Sequence, residues 1–154
     1  MSSKSPAEID VEIQDLQELI DLDHEQIDNL VRFVLTRNDH VGRIGLCFVD
    51  DEAISALHQQ FMDDPTPTDV ITFPLEPVVD GSLDGEIVVS TETALREAPG
   101  HQMRADDEVR LYIVHGLLHL LGYDDLDEQG QKTMNRLQQG LLDRWKASRG
   151  LLGD

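Results

Sequence analysis

Apolar and polar residues alternate over residues 8–14, with Ile9, Val11 and Ile13 on one side and Asp10 and Glu12 on the other. A period of two belongs to a strand with one covered face, so a half-buried strand is expected there. Over residues 24–37 the period lengthens. Ile27, Leu30, Val31, Val34 and Leu35 fall on one helical stripe, and Asp23 and Gln26 have capping-box spacing ahead of it. IGLCFV (44–49) is apolar without alternation and reads as a covered strand. Ile54, Leu57 and Phe61 form the inner face expected of a helix starting near Asp51. DDPTPT (63–68) is a loop, since its two prolines cannot donate hydrogen bonds. DVITF (69–73) and GEIVVS (85–90) read as strands around a Pro/Gly/Asp connection that suits an antiparallel pair. A short helix follows Ser90 and stops near Pro99-Gly100.

Two further helices complete the pattern. Residues 106–121 open with Asp106, Asp107 and Glu108, whose charge complements a helix N-terminus. Leu111, Ile113, Val114, Leu117, Leu118, Leu120 and Leu121 then make the helix apolar on nearly every side, which places it inside the protein. Residues 127–148 carry Met134, Leu137, Leu141 and Trp145 on one stripe, with Arg144, Lys146 and Arg149 near the end. The expected class is α/β (α+β): a small mixed four-stranded sheet covered by about five helices, with the 154 residues forming one domain and residues 1–7 a flexible tail.

A hydrophobic share of 40% is that of a folded core. No apolar run reaches the roughly 18 residues that span a bilayer. MSSKSPAEID at the start has no apolar segment of a secretory leader. Cys47, the one cysteine, lies in an apolar run, where a buried thiol is expected. A single thiol excludes an intrachain disulfide and suits a reducing cytoplasm. The charge stands apart: 31 acids against 12 Lys and Arg give −19. Such a chain repels polyanions and anionic membranes at long range, which argues against non-specific nucleic-acid binding and suits a basic protein partner or a salty cell.

The stretch VHGLLHLLGYDDLDE (114–128) carries chemistry. His115 and His119 are four apart on the apolar helix, so both imidazoles project from one face, one above the other. Gly122 can adopt positive φ, end the helix and turn the chain back. Asp125 is then aimed at the same point, in the frame H-x3-H-x2-G-x2-D, which has the spacing of an extended zincin pattern with Asp as last ligand. Two imidazoles and a carboxylate suit zinc with a fourth position open, although the same set serves non-haem iron and other divalent transition metals. The plainer alternative is a pair of interior histidines bonded to carbonyls, with Asp124, Asp125 or Asp127 capping the last helix. His24, His40, His58 and His101 fall outside the frame and read as surface or structural residues. Metallopeptidases of this type place a glutamate base directly after the first histidine, and here that position is Gly116.

H-G-L-L-H-L-L-G-Y-D-D resembles the signature of the YbeY family of bacterial metal-dependent endoribonucleases, usually H-G-x-L-H-L-x-G-Y-D-H. TDVITFP (68–74) and GEIVVS (85–90) are similar to that family's T-D-V-L-S-F-P and G-D-I-x-I-S segments, and the matching order runs from about residue 8 to 146. The resemblance implies a compact α/β domain with one zinc on three side chains, at a buried helix and the turn after it. It implies hydrolysis of single-stranded RNA, maturation of the 3′ end of small-subunit ribosomal RNA and ribosome quality control, and the negative charge favours docking on basic ribosomal proteins over gripping free RNA. The family's first two ligands fall on His115 and His119, and its third histidine falls on Asp125. The arginine that the family usually carries ahead of T-D-V falls on Met62, where ordinary helix packing beside Phe61 is the favoured role. Arg32, Arg37, Arg43 and Arg104 are then candidates for gripping phosphate. Thr68 and Asp69 are candidates for lining the cleft, although a turn or strand start explains them equally well. The reaction expected is attack on a phosphodiester by a metal-activated water, with Asp124 as a candidate base. Two rival classes stay open: a metal hydrolase acting on another substrate class, and a ribosome-associated binding protein with a structural metal.

Overall fold

The computed structural model describes residues 8–150, so the flexible tail expected over residues 1–7 lies outside the described residues. Strand β1 (Ile9–Asp15) alternates buried and exposed positions as its sequence predicts. It leads into α1 (His24–Arg37), where the Asp23 carboxylate accepts from the Gln26 amide and Ile27, Leu30, Val31, Val34 and Leu35 are buried. That set matches the expected stripe, and burying each such side chain stabilises the fold by about 1.5–3 kcal/mol. Strand β2 (Val41–Val49) follows. It starts three residues ahead of the apolar run, because Gly42 and Arg43 still pair with both neighbouring strands and Val41 with one of them.

Helix α2 (Asp51–Met62) is capped by Asp50 and buries only Ile54. Phe61 and Met62 were expected to pack inward, yet both are more than half exposed, at 57% and 52%. Phe61 instead meets the edge of the Phe73 ring at 5.1 Å. Helix α2 covers just one end of its sheet face, over Val49, Ile71 and Val88, so its C-terminal turn has no core to enter. Cys47 sits at the border of the same patch and is half-buried rather than enclosed.

Strands β3 (Val70–Val79) and β4 (Ser82–Ser90) form the antiparallel hairpin that the sequence suggests, but both are longer than expected. Asp80 and Gly81 both have positive φ, 55° and 73°, the backbone of a two-residue hairpin turn. Strand β3 runs through Pro74 and Pro77 because it is an edge strand with register shifts, where a missing N–H costs little. The sheet order is β1-β2-β4-β3, with β1, β2 and β4 parallel.

Helix α3 (Thr91–Glu97) starts directly at the end of β4, capped by Ser90. A 3-10 turn (Ala98–His101) leads to α4 (Ala105–Leu120), and α5 (Glu128–Ser148) closes the fold, capped by Asp127. Helix α4 lies against the sheet and touches α1, α3 and α5, which explains its all-round apolar sequence. Gly116 lets it come close: a Cβ there would stand 3.0 Å from Ile87 and 3.2 Å from Thr72. Trp145 of α5 is fully buried and its indole donates to Asn29 of α1 at 2.8 Å. The described residues form a mixed α/β fold, a four-stranded sheet with five helices. Among the described residues no helix is long and apolar enough to cross a membrane.

Candidate metal centre and its cleft

The last turn of α4 is built by local chemistry. The amide of Gly122 donates to His119 O and that of Tyr123 to Leu118 O, both at 3.0 Å, the pair of bonds that closes a helix on a left-handed residue. Gly122 supplies that residue, with φ of +106°. The chain reverses there and brings Asp125 back over the helix. His115 Nε2 and His119 Nε2 lie 3.1 Å apart, and Asp125 Oδ2 and Oδ1 lie 3.5 and 3.6 Å from them respectively. All three side chains are partly exposed.

These residues fit one small cation. Zinc–nitrogen bonds of about 2.0–2.1 Å in tetrahedral geometry set ligand atoms about 3.3 Å apart, close to the three separations here. Two imidazole lone pairs cannot face each other at 3.1 Å with nothing positive between them; a shared proton or a cation must intervene. Gln138 of α5 sharpens the point. Its Oε1 accepts from His115 Nδ1 at 3.0 Å, which leaves the Nε2 lone pair for the triad. His115, His119 and Asp125 are the one group among the described residues whose donor atoms could hold a metal ion.

Neighbouring acids have other places. Asp127 caps α5 by accepting from the Gly130 amide at 2.6 Å. Asp124 is exposed and its carboxylate accepts from Leu126 N at 3.4 Å, within the turn. The Gly116 position that a peptidase would give to a glutamate faces Ile87 and Thr72 at packing distance, so a larger side chain has no room.

A cleft of about 860 Å³ runs up to His115, with Thr68, Asp69, Arg96, His101, Tyr112 and Gln138 among its lining residues. Thr68 and Asp69 lie just ahead of β3, with Asp69 O accepting from Ser90 N at 2.9 Å. Arg32, Arg37, Arg43 and Arg104 are not among the lining residues of this cleft. Arg104 is exposed, bonds Asp106 at 3.2 Å and lines a separate groove with Leu19 and Leu95. Arg43 joins Glu12, Asp84 and Glu86 on the sheet. Arg32 and Arg37 line another hollow beside Phe33.

Arg96 is the cleft arginine that the sequence reading missed. Its guanidinium donates to Asp51 at 2.9 Å and to Thr93 Oγ1 at 3.1 Å. Burial pushes the Asp51 carboxyl up, but hydrogen bonds from Ser90, Thr93 and Arg96 outweigh it and hold the group below the usual carboxylate range. The available signal was the face shared by Thr93, Arg96 and Glu97 on a helix beginning where β4 ends. His101, read as a surface or structural residue, also lines the cleft and bonds buried Glu108.

A family model described as Endoribonuclease YbeY matches residues 12–146. The chain is 34% identical over 148 residues to the Endoribonuclease YbeY of Acidothermus cellulolyticus, covering 87% of this chain and 90% of that one. It is 37% identical over 148 residues to the Streptomyces coelicolor protein of the same name, covering 86% and 88%. The solution structure of TM1509 from Thermotoga maritima superposes with a TM-score of 0.64 at 23% identity, covering 90% of each chain, a likeness of fold.

Proposed function

The chain belongs to the YbeY endoribonuclease family, and from that premise we propose that it is a metal-dependent endoribonuclease that cleaves single-stranded RNA. The observation that carries the reading is the convergence of His115 Nε2, His119 Nε2 and Asp125 at the end of a cleft large enough for a nucleotide. His115, His119 and Asp125 would hold one divalent ion, zinc by donor set, with Gln138 fixing the His115 tautomer. When bound, the ion supplies Lewis-acid stabilisation of charge on the phosphoryl oxygens and lowers the pKa of water.

The remaining roles fall to the chain's own residues. Arg96 is held by Asp51 at the cleft and offers a planar donor to a phosphate. It stands in for the arginine absent at Met62, which is exposed at the end of α2. Thr68 and Asp69 line the floor where sugar hydroxyls or bases would pass. Asp124, exposed beside the triad, is a weaker candidate for a proton acceptor. The biological substrate in this reading is ribosomal RNA, at the 3′ end of the small-subunit species, in the cytoplasm and in ribosome quality control. Docking on basic ribosomal proteins suits a net charge of −19 better than unaided capture of free RNA.

The test is elemental analysis of purified wild type and His119→Ala beside cleavage of a single-stranded oligoribonucleotide. About one zinc per chain, lost in the variant together with cleavage, is the expected outcome. Metal without cleavage overturns the nuclease reading in favour of a binding protein, and no metal under replete conditions overturns the centre itself.

A further inference from the structure

Glu108 is the one ionisable acid among the described residues that is fully buried, yet it borders the cleft. A buried carboxylate carries a desolvation cost of several kcal/mol unless a cation faces it. The facing group is His101, whose Nδ1 lies 3.0 and 2.9 Å from the two Glu108 oxygens. His101 closes the 3-10 turn and its side chain is 53% exposed. With Nδ1 turned to the carboxylate, Nε2 occupies the opposite edge of the ring, and no further partner of that atom occurs among the described residues. His101 and His115 line the same cleft.

The arrangement is a carboxylate that orients an imidazole and stabilises its charged form, leaving one N–H for a substrate. Tyr112 on α4 interacts with the same carboxylate, and burial with that contact pushes its phenol up, so it stays neutral. Glu97 on α3 adds negative charge near His101, and Arg96 and Asp69 are the other charged groups lining the cleft. The Glu108 hydrogen bond and charge raise the imidazole above its ordinary value of 6.5.

We propose that His101 is the general acid of RNA cleavage in this cleft and that Glu108 is its positioning residue, an inference that rests on the nuclease reading above. In the step, the oxygen of water forms a bond to phosphorus and the bond from phosphorus to the leaving ribose oxygen breaks. That oxygen takes the electron pair and then the proton from His101 Nε2. The attacking water loses its proton to solvent, and solvent reprotonates His101. Atoms and charge balance without another reactant.

The experiment compares wild type, His101→Asn and Glu108→Gln, each metal-loaded, in single-turnover cleavage of an oligoribonucleotide across pH. Each is also given a substrate whose leaving oxygen is replaced by sulfur, which departs without a proton. Imidazole NMR of the same proteins follows His101 directly. Wild type is expected to lose rate as pH rises through the His101 pKa, above 6.5, with the NMR titration at the same pH. Glu108→Gln moves both to lower pH. His101→Asn is about 100-fold or more slower on the oxygen substrate and close to wild type on the sulfur one. Equal losses on both substrates, or an unmoved alkaline limb in Glu108→Gln, overturn the proposal and leave the pair a tie between the 3-10 turn and α4. Should Glu108→Gln fail to fold, His101→Asn on the two substrates decides alone, because His101 is half exposed. A wild-type chain that cuts no single-stranded RNA overturns the nuclease reading and this one with it. A wild type that cuts, with His101→Asn at full rate on both substrates, overturns only the role of His101.

Discussion

Gln138 Oε1 accepts a hydrogen bond from His115 Nδ1 at 3.0 Å, tying the middle of α5 to the end of α4. The bond selects the tautomer whose Nε2 lone pair faces His119 and Asp125. Partners of this kind that orient a metal-binding imidazole are worth about 10–100-fold in metal affinity. Gln138→Leu is therefore expected to weaken metal binding by about that factor, with little change in thermal stability because the side chain lies at the cleft surface. Chelator competition reads the affinity. Unchanged affinity in a folded variant would show that the ring is held by packing alone.

Gly122 has φ of +106°, and nothing lies within 4 Å of where its Cβ would be. The requirement is purely one of backbone conformation. Gly122→Ala is expected to cost on the order of 1–3 kcal/mol, and to lower metal occupancy because the turn aims Asp125. Denaturant midpoints and metal content measured together test both halves. Loss of stability with full metal occupancy would mean that Asp125 reaches the histidines without this turn.

Gly122 and the histidine pair also show why part of the site was legible in the sequence. Helix geometry alone puts His115 and His119 on one face, and a glycine after an apolar run marks where the chain turns. The α1 stripe was readable for the same reason, since its period is local. Arg96 and Gln138 were not readable, because their roles depend on which elements become neighbours. Arg96 reaches the cleft only because β4 ends beside Asp69 and α3 starts at once. Phe61 misled for a related reason: helical spacing marks an apolar face, but not whether the sheet extends far enough to cover it. Pro74 and Pro77 concealed the length of β3, since prolines argue against a strand unless it lies on an edge.

Asp51 gathers Ser90 Oγ and Thr93 Oγ1 at 2.7 Å each and the Arg96 guanidinium at 2.9 Å. Its folded pKa is depressed, so the stability it contributes is fully present above the unfolded value, near 3.8, and is lost as pH falls through the folded one. Asp51→Asn is expected to cost about 1.5–3 kcal/mol at neutral pH, the range for hydrogen bonds to a charged group. The deficit relative to wild type should shrink below pH about 4. Urea midpoints from neutrality down to acid pH check the sign. A deficit that stays constant over that range would remove ionisation from the account and leave only packing. The same variant frees Arg96, so weaker RNA binding at neutral pH is expected alongside.

A chain of net charge −19 approaching RNA is repelled at long range, whatever the cleft offers at contact. The Debye length falls from about 30 Å at 0.01 M salt to about 10 Å at 0.1 M. Screening should therefore hold or raise the association rate with labelled single-stranded RNA over that interval. Proteins that bind through many phosphate contacts behave in the opposite way, and affinity drops steeply with salt. Stopped-flow association at several salt concentrations separates the two. A steep fall would reveal a basic track strong enough to overcome the net charge. A flat or rising rate would show that few phosphate contacts carry the association, which is what delivery of the RNA by a basic partner predicts. In that case adding such a partner should speed cleavage far more than raising the RNA concentration does.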